Sequence, residues 1–235
     1  MLRLTVVVKN LLIINGLFFL AKVAMPEFMN ENFALFYPWS DAFKPHQLVS
    51  HMFMHGDLSH IFGNMFALFM FGPLLEDRFG SKRFLIFYMV TGLGAAGLHL
   101  ASAYLESYPI VQAADFKVLE IVREQGLDAL LHGKNFTDDT LATVNLAMNT
   151  PTVGASGAVF GILMGFGMLF PEYRVMLLFP PIPLKARQLV TVYAVIEIFL
   201  MIQNNPGDNV AHFAHVGGML FAFLIIRFWR NRALL

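Results

Sequence analysis

Apolar residues gather in six stretches along this chain, at about residues 4–25, 46–75, 84–104, 151–170, 186–202 and 210–228. Charge, proline and aromatic residues collect between them. Each stretch approaches or exceeds the ~20 residues that a helix needs to cross a bilayer. Pro26, Pro45 and Pro171 stand at their edges, where a helix cannot simply continue. The pattern predicts an all-α polytopic membrane protein, a bundle of six transmembrane helices forming one domain over residues 1–235.

Two connections differ from the rest. Residues 33–45 (FALFYPWSDAFKP) are rich in aromatics and proline and suit the headgroup level. About 106–150, acids such as Asp115, Glu120 and Asp139 mark an extramembrane insertion, with short amphipathic helices expected around Leu119 to Leu131 and a further helix capped by Thr137. FPPIP (residues 179–183) is a third, proline-rich interfacial loop.

Composition sharpens this picture. The chain is 57% hydrophobic and 14% charged, with mean hydropathy +0.62. Formal net charge is zero, which gives no argument for a nucleic-acid partner; the partner that composition names is the lipid bilayer. With no cysteine, disulfides, thiol catalysis and thiolate metal sites are excluded. The first stretch carries Lys9 and Lys22 and is followed by no small-residue cleavage site, so it is expected to stay as a helix. With the N-terminus cytoplasmic, one side holds eleven lysines and arginines and the other five. Both ends are then expected on the cytoplasmic side, in a compact plan that suits a bacterial plasma membrane.

Polar residues inside apolar stretches carry the chemistry, because lipid-facing polar groups are costly. TVGASGAVFGILMG (Thr152 to Gly165) reads as a helix beginning near Ser156, with Gly157, Gly161 and Gly165 four apart on one face. In AHFAHVGGMLFA, Ala211, His215, Gly218 and Ala222 share a face by the same spacing. Small residues so spaced are also ordinary helix-packing signals. Packed together, the two faces bring a hydroxyl to an imidazole, the arrangement of an activated serine. His60 and Asn64 are four apart and both can donate, so with the backbone N–H of Ser156 they would form an oxyanion hole. Apart from Asp208, no acid lies near His215 in sequence, and the expectation is a Ser/His dyad.

Other polar positions have blander readings. His51 and His55 are four apart, but without an HExxH motif or cysteine partner they read as support for His60 rather than metal ligands. No metal is expected. His99 and His212 read as structural, Glu76 and Arg78 as an ion pair or cap, and Glu197 as lining a watery crevice or pairing with a loop donor.

HMFMHGDLSHIFGN (His51 to Asn64), GASG (Gly154 to Gly157) and AHVGG (Ala214 to Gly218), on separate apolar stretches and in this order, resemble the rhomboid intramembrane serine proteases. The resemblance covers roughly residues 40–105 and 150–230. It implies a nucleophile at Ser156, its base at His215, oxyanion-hole side chains at His60 and Asn64, and the family's preceding glycine at Gly154. It also implies single-span membrane proteins as substrates, cut within or near the bilayer, and no cofactor. Two departures stand out. The Trp-Arg pair of many members is replaced by His46 and Gln47, and Phe160 stands where some carry a tyrosine against the histidine. The rival readings are a proteolytically inactive rhomboid-like binder and a transporter lined by the same residues. A gate is expected at the fifth span and residues 203–209.

Overall fold

The structure is a computed structural model describing residues 4–176, 182–203 and 210–232. Among the described residues it is mainly helical, with one pair of short antiparallel strands. Helix α1 (Val6–Ala24) is followed by α2 (Pro26–Phe33), α3 (Gln47–Ser50) and a 3-10 turn (His51–Phe53). Then come α4 (Leu58–Phe79) and α5 (Ser81–Ala113). The insertion contains α6 (Phe116–Ile121), a π turn (Val122–Gly126), α7 (Leu127–Leu131) and α8 (Asp139–Asn149). Helix α9 (Ser156–Leu169) leads to strands β1 (Arg174–Met176) and β2 (Pro183–Lys185), then α10 (Ala186–Gln203) and α11 (His212–Asn231).

Five of these helices, α1, α4, α5, α10 and α11, are long and apolar enough to cross a membrane. The fourth apolar stretch returns as α9, only 14 residues long. At 1.5 Å per residue it measures about 21 Å, against ~30 Å of hydrocarbon. It can be short because it is the centre of the bundle, packed on α4, α5, α10 and α11. Its glycines let the neighbours close in: a side chain on Gly161 would sit 2.6 Å from Thr91 Cβ, and one on Gly165 would sit 2.8 Å from Leu75 Cδ2. Below the glycines the core fills with Phe84, Phe87, Tyr88, Ile162, Phe166 and Ile226.

Other boundaries move for identifiable reasons. The second stretch does not run as one helix from His46; α4 starts at Leu58, where Asp57 caps it by accepting the N–H of His60 at 2.9 Å. Helix α5 continues beyond Tyr104 to Ala113 and absorbs the start of the insertion. Helix α8 is capped by Asp138, which accepts the N–H of Leu141 at 2.9 Å, and not by Thr137. Of the FPPIP loop, Pro183 opens β2, which pairs antiparallel with β1; residues 179–181 lie outside the described residues.

The insertion is a docked unit. Val122, Val144 and Met148 form its own small core with Val111, Leu119 and Leu141. A buried asparagine relay fixes it: Asn145 donates to Gly126 O, Asn149 donates to Asn145 Oδ1, and Ser40 of the aromatic loop donates to Asn149 Oδ1. That loop is anchored without the family's Trp-Arg pair. The buried Gln47 amide accepts from the N–H of Lys44 and donates to the carbonyls of Glu31 and Ala42, and a ring nitrogen of His46 lies 2.6 Å from Asn32 O. At the opposite end of the bundle, the Glu76 carboxylate takes the N–H groups of Val7 and Val8, both at 3.0 Å, and the Ser81 hydroxyl. It is a cap, as expected, but for the first turn of α1, where backbone donors lack intrahelical partners.

Candidate active site

Ser156 opens α9, and its position follows from the turn before it. Gly154 has φ 138°, a conformation that residues with a Cβ rarely adopt, and its N–H is held by His51 O at 2.9 Å. The preceding segment is pinned by a bridge between Leu35 and Thr152, and His99 Nε2 lies 2.9 Å from the Thr152 hydroxyl. Space matters at Gly154 as well: a Cβ there would lie 3.0 Å from His60 Nε2 and 3.4 Å from Ser156 Oγ. Gly154 is therefore the gap between hydroxyl and imidazole.

His215 reaches the same place from α11. The α9 and α11 backbones touch, since a Cβ on Gly218 would overlap the carbonyl of Gly157, and one on Gly157 would meet Ala95 of α5. The imidazole then stacks on the Phe160 ring, with centroids 4.0 Å apart and planes 16° from parallel. Phe160 lies one turn beyond Ser156, so one helix supplies both the hydroxyl and the surface that orients the ring.

His215 also has an acidic partner. His215 Nδ1 lies 2.9 Å from Glu197 Oε2, and His212 Nδ1 lies 2.7 Å from the same oxygen. Linear sequence offers only Asp208 as a nearby acid and a dyad as the expectation; in space Glu197, expected to line a watery crevice or pair with a loop donor, instead has two histidine partners on the neighbouring helix. A carboxylate only accepts, so in both contacts the histidine Nδ1 is the donor. Glu197 is 18 residues before His215 and on another helix, so nothing in linear spacing revealed it.

His60 and Asn64 come from α4. The Gly56 N–H points to His60 Nδ1 at 3.2 Å, which leaves the His60 proton on Nε2, the nitrogen facing Gly154 and Ser156. Lys22 of α1 holds this corner by donating to His55 O and Gly56 O, at 2.6 and 2.7 Å. Asn64 is buried, and among the described residues its Nδ2 has no acceptor. An unmade buried hydrogen bond costs about 1–3 kcal/mol, and Asn64 lines the same chamber as His60 and Ser156.

His51 and His55 behave as support. His51 is buried with Nδ1 2.8 Å from Gln47 O, and its carbonyl positions Gly154. His55 packs edge-on against His60, with centroids 5.1 Å apart. Burial, reinforced by the neighbouring His60, pushes its pKa down to about 4. It is neutral at physiological pH.

All four principal residues line one cavity of about 1050 Å³, Ser156, His215, His60 and Asn64 sharing it with Phe160 and His212. Behind the serine, a pocket of about 20 Å³ lies among His51, His99, Thr152 and Gly154, with room for one water. A chamber where a serine, histidines and an asparagine meet among helices long and apolar enough to cross a membrane defines a polytopic membrane protein. The family of rhomboid domains matches residues 42–116 and 127–232, and the chain belongs to it. Relatives include RHOMBOID-like protein 12, mitochondrial, of Arabidopsis thaliana, 27% identical over 92% of this chain and 56% of its own length. The Rhomboid protease AarA of Providencia stuartii is 27% identical over 74% of this chain and 52% of its own. The chain thus spans about half the length of these curated relatives.

Proposed function

We propose that this protein is an intramembrane serine endopeptidase acting on single-span membrane proteins. The observation that carries the reading is the common cavity of Ser156, His215, His60 and Asn64, together with membership of a family that includes a named protease. In the proposed reaction the Ser156 hydroxyl attacks the scissile carbonyl while His215 Nε2 takes its proton. The oxyanion that forms is met by His60 Nε2–H, Asn64 Nδ2–H and the Ser156 backbone N–H at the start of α9. The proton on His215 passes to the leaving amine, and water, deprotonated by the same base, releases the acyl group and restores the serine.

Every step uses side chains of this chain, and the reading includes no cofactor. Ser156 sits at the head of a helix shorter than the bilayer is thick, so the chemistry lies below the surface and water reaches it through the polar chamber. Placement in a bacterial plasma membrane with both ends cytoplasmic belongs to the same proposal; it rests on the compact plan and on the distribution of lysine and arginine. So does the gate at α10, of which residues 204–209 lie outside the described residues.

The test is labelling of purified protein with a fluorescent fluorophosphonate, beside cleavage of a single-span membrane substrate. Both are expected in the wild type and lost in Ser156→Ala and His215→Ala. A folded wild type that neither labels nor cleaves would favour an inactive rhomboid-like binder instead.

A further inference from the structure

Glu197 is out of place on a lipid-crossing helix. Beyond Val190 it is the one buried residue described on α10, while Val192, Val195, Ile196, Phe199 and Ile202 around it are exposed to the lipid side. A carboxylate drawn out of water is costly unless it is hydrogen-bonded. Its bonds go to two histidines of α11 through a single oxygen. At 7% exposure beside His215 at 8%, the pair sits where little water competes for the bond.

We propose that Glu197 is the positioning residue for His215, holding the proton on Nδ1 and the lone pair on Nε2 toward Ser156, with His212 fixing the carboxylate. This inference rests on the protease reading and turns its two-residue centre into an acid–base–nucleophile relay. A neutral imidazole exchanges between two tautomers, and only the Nδ1–H form can take the serine proton through Nε2. The carboxylate accepts from Nδ1 and has nothing to donate, so it selects that form; in the reaction it also faces the positive charge that develops on the ring. The carboxylate arrives from α10, so base orientation depends on α10 lying against α11. The other titratable groups on this chamber are Asp57 at the cap of α4, His60 of α4, His99 and Glu106 of α5, and Tyr193 of α10.

The experiment has two readouts. In ¹⁵N-histidine-labelled wild type in detergent, with His215 assigned by difference from H215Q, the Nδ1–H tautomer is expected at neutral pH. In E197Q, whose amide can donate as well as accept, that preference should be lost. For peptide-bond cleavage, E197Q should lower kcat at least about tenfold and up to ~10⁴, the loss that the same carboxylate-to-amide change causes in serine-protease triads, with KM within about twofold. H212Q should fall between the wild type and E197Q. An Nε2–H tautomer in the wild type, or an E197Q enzyme with unchanged tautomer and kcat, overturns the proposal. If E197Q does not fold, the wild-type tautomer decides alone. A wild type that never labels with fluorophosphonate would fail the protease reading, while the tautomer would still report whether Glu197 orients the ring.

Discussion

Gly157 of α9 and Gly218 of α11 meet backbone to backbone, so closely that a methyl group on Gly218 would overlap the Gly157 carbonyl. This contact sets how near the serine helix comes to the histidine helix. Gly218→Ala must push the helices apart, at a cost of about 1–3 kcal/mol for overpacking. The expected result is a lower thermal midpoint in detergent together with loss of fluorophosphonate labelling. A fully active G218A would mean that the two helices are not held as described.

Gly154→Ala should separate stability from chemistry. Its φ of 138° puts the strain of a non-glycine residue at about 1–3 kcal/mol. The new Cβ lands 3.0 Å from His60 and displaces the side chain proposed as an oxyanion donor. A folded variant with a rate down ~10²–10³ is expected, measured as kcat at saturating substrate.

Lys22 touches no reacting atom, yet it donates to both carbonyls of the turn that aims His60. Lys22→Met should leave the bundle assembled and lower kcat by about tenfold or more, since small misplacements near reacting groups can cost ~10². A KM effect without a kcat effect would contradict this assignment.

Phe160→Tyr keeps the ring that stacks on His215 and should retain most activity. Phe160→Ala removes it, with about 0.5–1.5 kcal/mol of aromatic contact beyond the lost burial. Labelling rates of the two variants should differ by at least about tenfold, because the ring steers the base as well as packing against it.

His55 gives stability a pH dependence. Its folded pKa is held near 4 by burial, below the ~6.5 of an unfolded chain. Between those values the unfolded state binds the extra proton, so stability is full above about pH 6.5 and falls as pH drops toward 4. The loss is up to about 3 kcal/mol. Unfolding midpoints of the wild type and His55→Leu, compared from pH 4 to 7.5, should show a shallower slope in the variant.

Much of this was legible in linear sequence because helical spacing is a local property. Gly157, Gly161 and Gly165 announced a close-packing face, His215 stood on a matching one, and His60 and Asn64 shared a turn. Contacts across helices were not legible. Glu197 reaches His215, Lys22 reaches the His55–Gly56 turn, and Glu76 reaches the first turn of α1; no period in the sequence encodes such pairings. Helix length misled for a related reason. Apolar composition marks residues 151–170 as a span, but the positive φ of Gly154 and the Leu35–Thr152 bridge are tertiary facts that delay α9 until Ser156.

Placing Ser156 on α9 and His215 on α11 also orders events during synthesis. The serine, its glycine turn and both α4 donors leave the ribosome before the β-hairpin, α10 and finally α11. At about 5–20 residues per second, the nascent chain spends several seconds with Ser156 already made and His215 still to come. Until α11 has inserted and its glycines have closed on α9, the two halves of the proposed centre stay apart.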